Sequence, residues 1–317
     1  MKTGQRKSRK IRMIRNILIA VWIGIPWTLA GETPRVVASI PPIHSLVSGV
    51  MQGVGSPTLI IKGYASPHTY QMRPSDAAKL HNADVVFWIG DTLETFLRKP
   101  LSALPTQAIP LIETEGLTLH RNREGGAWDT HTHTHDSHAT TESTHGDNPH
   151  IWLDPGNARQ LVKAIARHLG RIDPTHGARY EANANRLLQR INALEKRIGE
   201  RLSGIRTAPY LVFHDAFLYL ERRYELHAVG SITANPDQIP GARRIANLRS
   251  TIKRLDIRCI FREPQFNTKL IETVLEGSDS NMGILDPLGV DIRPGPDHWF
   301  EMMENHAEVM VDCLSEG

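Results

Sequence analysis

Residues 178–202 read ARYEANANRLLQRINALEKRIGERL, and their apolar residues recur at the spacing of one face of an α-helix. The apolar stripe consists of Leu187, Leu188, Ile191, Leu194 and Ile198. Charged residues occupy the opposite face. At 1.5 Å per residue, a helix of about 25 residues is some 37 Å long, which is enough to span two lobes. We therefore predict that a connector, residues 173–206, joins two halves of the chain through a long helix.

Short apolar stretches alternate with helical patterns on both sides of the connector. The apolar stretches are 35–40, 57–61 and 85–89 before it, and 210–213, 226–229, 259–261 and 283–285 after it. Strands that alternate with helices at this spacing are typical of parallel sheets in α/β proteins. We predict an α/β fold of two similar lobes with mostly parallel sheets, an N-terminal lobe of residues 31–172 and a C-terminal lobe of residues 207–317.

Residues 1–30 have the order of a secretory signal peptide. Seven basic residues and no acidic one precede an apolar stretch from Ile17 to Leu29, which ends at Ala30. This stretch of roughly 13 residues is short for a membrane span, which takes about 20. An uncleaved N-terminal anchor is the alternative, and in both cases we expect the rest of the chain to be exported. Without residues 1–30 the chain has 30 basic and 34 acidic residues, so we expect no nucleic-acid partner.

The two cysteines, Cys259 and Cys313, are interpreted in the light of export. An oxidising compartment allows an even pair of cysteines to form a disulfide. Two buried thiols are the alternative. Because the sequence has no C-x-x-C spacing, we expect neither a redox role nor zinc bound by cysteine.

The segment 119–148 interrupts the α/β pattern. It is rich in Gly, Thr, Asp, Ser and His and nearly lacks aliphatic residues, which predicts a loop without a core of its own. Its clustered histidines are His131, His133, His135, His138 and His145. Such a composition is typical of metal binding, and we predict a secondary metal-gathering loop. A solvated low-complexity insert is the alternative.

Three further histidines lie where a predicted strand ends or where a loop leaves it. They are His68, His150 and His214, and Asp286 has the same kind of position. Ligands of α/β proteins collect at the carboxyl ends of parallel strands, so these residues could converge from both lobes on one crevice. Three imidazoles and a carboxylate form a tetrahedral set that suits Zn²⁺. Spacing alone is weak support, because each residue could be an ordinary hydrogen-bonded polar group.

Six short motifs make the assignment more specific. They are Ser66-Pro67-His68 with Arg73-Pro74-Ser75-Asp76, Pro149-His150-Ile151-Trp152-Leu153-Asp154-Pro155, Phe213-His214-Asp215, Glu263-Pro264-Gln265-Phe266, and Asp286-Pro287-Leu288-Gly289. In this order and combination they resemble the ZnuA-type solute-binding proteins of zinc-uptake ABC transporters. The resemblance runs through essentially the whole chain after residue 30. It implies a periplasmic protein that holds Zn²⁺ between two α/β lobes and delivers it to a membrane permease, and we expect a monomer.

The resemblance also implies roles for individual residues. The family's ligands correspond to His68, His150 and His214, and its acidic fourth position corresponds to Asp286. Zinc-binding members often have Glu immediately before the first ligand, where this chain has Pro67, so Asp286 and water both remain candidates for the fourth ligand. Manganese-binding relatives have Glu at the position of His214, which favours zinc here. The family's late disulfide corresponds to the two cysteines, and Glu263 is expected to be a buried hydrogen-bonded carboxylate beside the site.

Other functions are compatible with parts of this pattern. The same scaffold could bind manganese or another divalent metal, or serve as a surface adhesin. Three histidines and a metal-bound water could also form a zinc hydrolase, but such an enzyme needs a general base, and the sequence has no HExxH motif. We therefore expect capture without catalysis. Because ligands must be deprotonated, binding is expected to weaken as the pH falls through the ordinary histidine range near 6.5.

Overall fold

Two parallel four-stranded sheets, one before and one after a long helix, form the framework of the part of the chain that the structure describes. This structure is a computed structural model, and it describes residues 1–2, 32–123, 127–128, 146–233, 240–266 and 268–315. The predicted signal peptide lies outside the described residues except for Met1 and Lys2. The histidine cluster of the 119–148 loop, His131, His133, His135, His138 and His145, lies outside them as well.

The N-terminal half contains β1 (Val36–Ala38), α1 (Pro41–Val50), β2 (Thr58–Leu59), α2 (Pro74–His81), β3 (Val85–Trp88), α3 (Thr95–Ala103), β4 (Gln107–Pro110) and α4 (Pro155–Ile172). The C-terminal half follows α5 (Gly177–Leu202) and contains β5 (Tyr210–Val212), α6 (Leu218–Tyr224), β6 (Ala228–Ser231), α7 (Ala242–Leu255), β7 (Cys259–Arg262), α8 (Thr268–Leu275), β8 (Asn281–Ile284) and α9 (His298–Ser315). Short 3₁₀ turns lie at Leu111–Glu113, Ile151–Leu153, Pro174–His176 and Ser203–Ile205.

The two sheets have the same topology. Their strand orders are β2-β1-β3-β4 and β6-β5-β7-β8, and every neighbouring pair is parallel. In each sheet the first strand of the lobe lies between the second and the third, so the chain changes direction beside β1 and beside β5. Ligands of α/β proteins bind at such switch points. The prediction of two similar α/β lobes is therefore confirmed.

The long helix α5 has one buried face, as its sequence pattern predicts. The buried residues include Leu187, Ile191, Leu194 and Ile198, whereas Leu188 is only partly buried. This face packs against α4 and α9. Because one sheet precedes α5 and the other follows it, we propose that residues 173–206 are the connector between lobes of residues 31–172 and 207–317.

The last helix, α9, contacts elements of both halves. The backbone N–H of Trp299 donates to Ser45 Oγ in α1 at 3.0 Å, and its indole N–H donates to the carbonyl of Trp152 at 2.9 Å. The disulfide between Cys259 and Cys313 attaches α9 to β7, with the two Cα atoms 5.9 Å apart. The predicted cysteine pairing is confirmed, and it fixes α9 to the C-terminal sheet.

Strand β4 has no counterpart among the predicted strands. It is an edge strand that is only partly buried, and Pro110 ends it. Its four residues, Gln107–Pro110, neither alternate between apolar and polar nor form a continuous apolar stretch, so the sequence pattern does not reveal the strand. The described helices include none that combines the length and the apolar character needed to span a membrane.

Candidate metal centre

Three histidines that are distant in the sequence meet in one pocket. One ring nitrogen from each of His68, His150 and His214 lies within 4.8 Å of the other two. The distances between ring centroids are 5.1 Å for His150 and His214, 5.5 Å for His68 and His150, and 5.6 Å for His68 and His214. The structure therefore brings together the three histidines that the sequence singles out.

The fold explains how these side chains converge. His68 lies in the loop that follows β2, His214 follows the end of β5, and His150 immediately precedes the 3₁₀ turn Ile151–Leu153. Two of the three histidines therefore follow the carboxyl ends of parallel strands, one in each lobe. The pocket is lined by Ser66, Pro67, His68, His150, Trp152, His214, Glu263, Gln265, Phe266, Pro287 and Leu288.

Oxygen acceptors orient two of the imidazoles. Nδ1 of His150 donates to Asn148 Oδ1 at 2.8 Å, and Nδ1 of His214 donates to Glu263 Oε1. The carboxamide of Asn148 is itself fixed, because its Nδ2 donates to the carbonyl of Asp215 at 2.6 Å. A proton on each Nδ1 leaves each Nε2 with a lone pair, which is the tautomer that binds metal.

The two Nε2 atoms of His150 and His214 lie 3.3 Å apart. Because both carry lone pairs in this tautomer, neither can donate a hydrogen bond to the other. Zinc–nitrogen bonds of about 2.0–2.1 Å in a tetrahedral arrangement place two ligand nitrogens about 3.3–3.4 Å apart. The separation in the structure therefore matches two ligands of one tetrahedral ion.

His68 supplies the third nitrogen. Its Nε2 is buried and has no hydrogen-bond partner among the residues that the structure describes. Burial, with a smaller contribution from His214, lowers the pKa of His68 to about 3. Burial, together with the two neighbouring histidines, also lowers the pKa of His150 well below its ordinary value. These two rings are therefore neutral well below the ordinary range near 6.5, and neutral imidazole is the form that binds metal.

The carboxylate of Glu263 lies beside the triad, 3% exposed, with its hydrogen bond to His214. Burial raises the pKa of Glu263, while the nearby His214 opposes this shift. Glu263 is therefore a buried carboxylate that is hydrogen-bonded beside the triad, which agrees with the prediction for it. Asn148 has the same role toward His150 and is not among the predicted site residues. Its position two residues before His150 is a signal for it, because an Asn side chain often accepts the N–H two residues later, and it does so here at 3.0 Å.

Asp286 is held in a turn after β8. Its Oδ1 accepts from the backbone N–H of Leu288 at 3.0 Å and from Gln265 Nε2 at 3.1 Å, and its Oδ2 accepts from the N–H of Val290 at 2.6 Å. The group of ligand atoms within 4.8 Å of one another comprises the three histidines and does not include this carboxylate. The role of Asp286 as the fourth ligand remains a prediction.

The two lobes and the three histidines that meet in one pocket define a two-lobed metal-binding protein. Residues 36–313 match the family model described as zinc-uptake complex component A, periplasmic, or ZnuA. The chain belongs to the ZnuA family.

Individual relatives agree with this assignment over nearly their whole length. The high-affinity zinc uptake system protein ZnuA of Brucella suis is 41% identical, in an alignment that covers 91% of this chain and 94% of the relative. The protein of the same name from Yersinia pestis is 33% identical, with coverages of 93% and 95%. A crystal structure of ZnuA superimposes with a TM-score of 0.75 at 25% identity, covering 89% of this chain and all of that one.

Proposed function

We propose that this protein captures Zn²⁺ in the periplasm through His68, His150 and His214 and delivers it to the membrane permease of an ABC importer. The observation that carries the proposal is the 3.3 Å separation of two Nε2 atoms whose Nδ1 atoms both face oxygen acceptors. This arrangement concentrates lone pairs at one point. A bound cation would replace their mutual repulsion with attraction to both nitrogens.

The donor set favours zinc over harder metals. Three imidazoles suit Zn²⁺, whereas Mn²⁺ is better served by carboxylate and water oxygens. The fourth ligand is predicted to be Asp286 or water. Membership of a family of zinc-uptake proteins supports delivery of the ion to a permease. The signal-peptide pattern of residues 1–30 supports export to the periplasm. We expect the carrier to act as a monomer.

We propose capture without catalysis. A zinc hydrolase needs a base that can take a proton from the metal-bound water. The buried carboxylate beside the triad, Glu263, is instead engaged with Nδ1 of His214, on the side of the ring away from the other ligands. We also propose that the histidine cluster at 131–145, which lies outside the described residues, gathers metal, since His-rich tracts are a metal-binding composition.

Competitive zinc titration against a chelator tests the main proposal. The exported protein is compared with His68→Ala, His150→Ala and His214→Ala, and His81→Ala serves as the matched control because His81 is exposed at the end of α2. We expect each triad variant to weaken the tight site by more than the roughly 10–100-fold that loss of an outer partner costs. The control should bind as the unmodified protein does. Tight zinc binding that survives all three substitutions would refute the proposal.

A further inference from the structure

Gln265 brings an unusual oxygen to the histidine pocket. Its side chain lines the same pocket as the three histidines. Its Oε1 is buried and has no hydrogen-bond partner within the described part of the chain. An unpaired buried carbonyl oxygen costs about 1–3 kcal/mol, so this placement requires a physical reason. The side-chain amide cannot avoid this cost by exchanging the positions of its oxygen and nitrogen, because the nitrogen is bonded to Asp286.

Asp286 fixes the orientation of this amide. Nε2 of Gln265 donates to Asp286 Oδ1 at 3.1 Å. A carboxylate accepts hydrogen bonds and cannot donate them, so the nitrogen of the amide must face Asp286 and the oxygen must face away. Oε1 therefore lies on the opposite side of the amide from Asp286.

Asp286 is itself held firmly. Its carboxylate accepts from the backbone N–H groups of Leu288 and Val290, and it would lose both hydrogen bonds if it turned elsewhere. Ring N–H groups also fix the turn, since His306 donates to the carbonyl of Asp286 at 2.8 Å, Trp152 to that of Pro287 at 2.8 Å, and His298 to that of Leu288 at 2.7 Å. The carboxylate therefore has a fixed position from which it accepts the hydrogen bond of Gln265.

We propose that Gln265 is an outer partner of the ion in the metal site. Its amide oxygen accepts a hydrogen bond from the water that fills the fourth position on the ion, and Asp286 positions it for this purpose. This inference rests on the proposed function and deepens it.

The first test compares the unmodified protein with Gln265→Leu, which removes the amide oxygen. Gln52→Leu is the matched control, because Gln52 is exposed and outside the pocket. Zinc affinity is measured by chelator competition, and the melting temperature is measured without metal. We expect Gln265→Leu to weaken zinc binding about 10–100-fold, as loss of an outer partner does. The metal-free melting temperature should change by no more than about 4 °C, since the lost oxygen has no partner there and the lost Nε2 gives up one hydrogen bond, to Asp286.

The second test is a double-mutant cycle with Asp286→Asn. If Asp286 acts through Gln265, then Asp286→Asn weakens zinc binding in the unmodified protein but adds at most about threefold in the Gln265→Leu background. A full additional loss in that background would make Asp286 a direct ligand and overturn the proposal.

Two other outcomes also overturn it. Zinc affinity of Gln265→Leu within about threefold of the unmodified protein would show that the oxygen does not serve the ion. A Gln265→Leu protein that is unfolded without metal would show a structural role. These failures are distinguishable from failure of the proposed function, in which the unmodified protein itself shows no tight zinc site.

Discussion

His150 and His214 face each other through their Nε2 atoms at 3.3 Å, while their Nδ1 atoms donate to Asn148 and Glu263. His150 lies before the long helix α5 in the sequence, and His214 lies after it. The site is thus formed only when both halves are in place, and the two oxygen acceptors determine which nitrogen of each ring is available.

The first prediction concerns Glu263. Glu263→Gln keeps an oxygen acceptor for His214 but replaces the carboxylate with an amide, and this weaker outer partner should lower zinc affinity about tenfold. Glu263→Ala also removes the acceptor and should cost up to about 100-fold. Chelator competition measures both. The exposed Glu272 provides the control Glu272→Gln, which should bind zinc normally. Equal affinities for all variants would show that Glu263 does not support His214.

The sequence predicts the clustering of the three histidines for an identifiable reason. His68, His150 and His214 lie in local motifs and at element ends, both of which can be seen without coordinates. The pairing of Asn148 with His150 depends on Asp215 of the other half, whose carbonyl fixes the amide. A contact across 67 positions leaves no periodic signal in the chain.

The same distinction applies to the fold. Alternating apolar and helical patterns predict the two lobes, and the apolar stripe predicts α5, which begins at Gly177 and not Ala178. The position of α9 against α1 cannot be read from such patterns, because it depends on the contact between Trp299 and Ser45, which are 254 residues apart. The position proposed for Gln265 beside the metal site is also not predictable from sequence, because it depends on the contact of its amide with Asp286, 21 residues away.

The second prediction concerns the pH dependence of stability. Glu94 is fully buried, and burial raises its pKa to about 7 from an ordinary value of 4.5, although Ser39 Oγ and the N–H groups of Ile89 and Gly90 donate to it. Between these values the folded protein keeps a proton that the unfolded chain releases. The free energy of unfolding therefore falls as the pH rises from about 4.5 to 7, by about 3 kcal/mol from this residue.

Urea unfolding at pH 5 and pH 8 measures this effect. Glu94→Gln should show a pH dependence smaller by about 3 kcal/mol, because its amide does not titrate. Its absolute stability should be lower at pH 5, since the amide N–H₂ would face the N–H of Gly90. Glu113→Gln, at an exposed position, should keep the original pH dependence. An unchanged pH dependence in Glu94→Gln would contradict the assignment.

The third prediction concerns the disulfide. Cys259 and Cys313 are 54 positions apart, and the chain-entropy model assigns such a crosslink about 4 kcal/mol of stability. The double variant Cys259→Ser/Cys313→Ser should lose about 2–5 kcal/mol of unfolding free energy. Addition of a reductant should lower the stability of the unmodified protein by a similar amount and leave the double variant unaffected. If the reductant destabilises both proteins equally, the loss does not come from this crosslink.

The last prediction concerns the packing of β8 between β7 and α9. A Cβ at Gly283 would lie 2.7 Å from two ring carbons of Phe261 and 3.3 Å from Val309 Cγ1. The ring is buried and cannot move away freely, so Gly283→Ala should destabilise the protein by about 1–3 kcal/mol. Gly204→Ala is the control, since nothing lies within 4 Å of its Cβ, and it should change stability by no more than about 0.5 kcal/mol.

A second substitution separates this clash from a backbone effect at Gly283. Phe261→Leu removes the ring that the new methyl group would meet, so the double variant Gly283→Ala/Phe261→Leu should be more stable than the sum of the single losses predicts. The coupling between residues in contact is about 0.5–3 kcal/mol. Strict additivity in urea unfolding would place the cost in the backbone of β8 and not in its contact with Phe261.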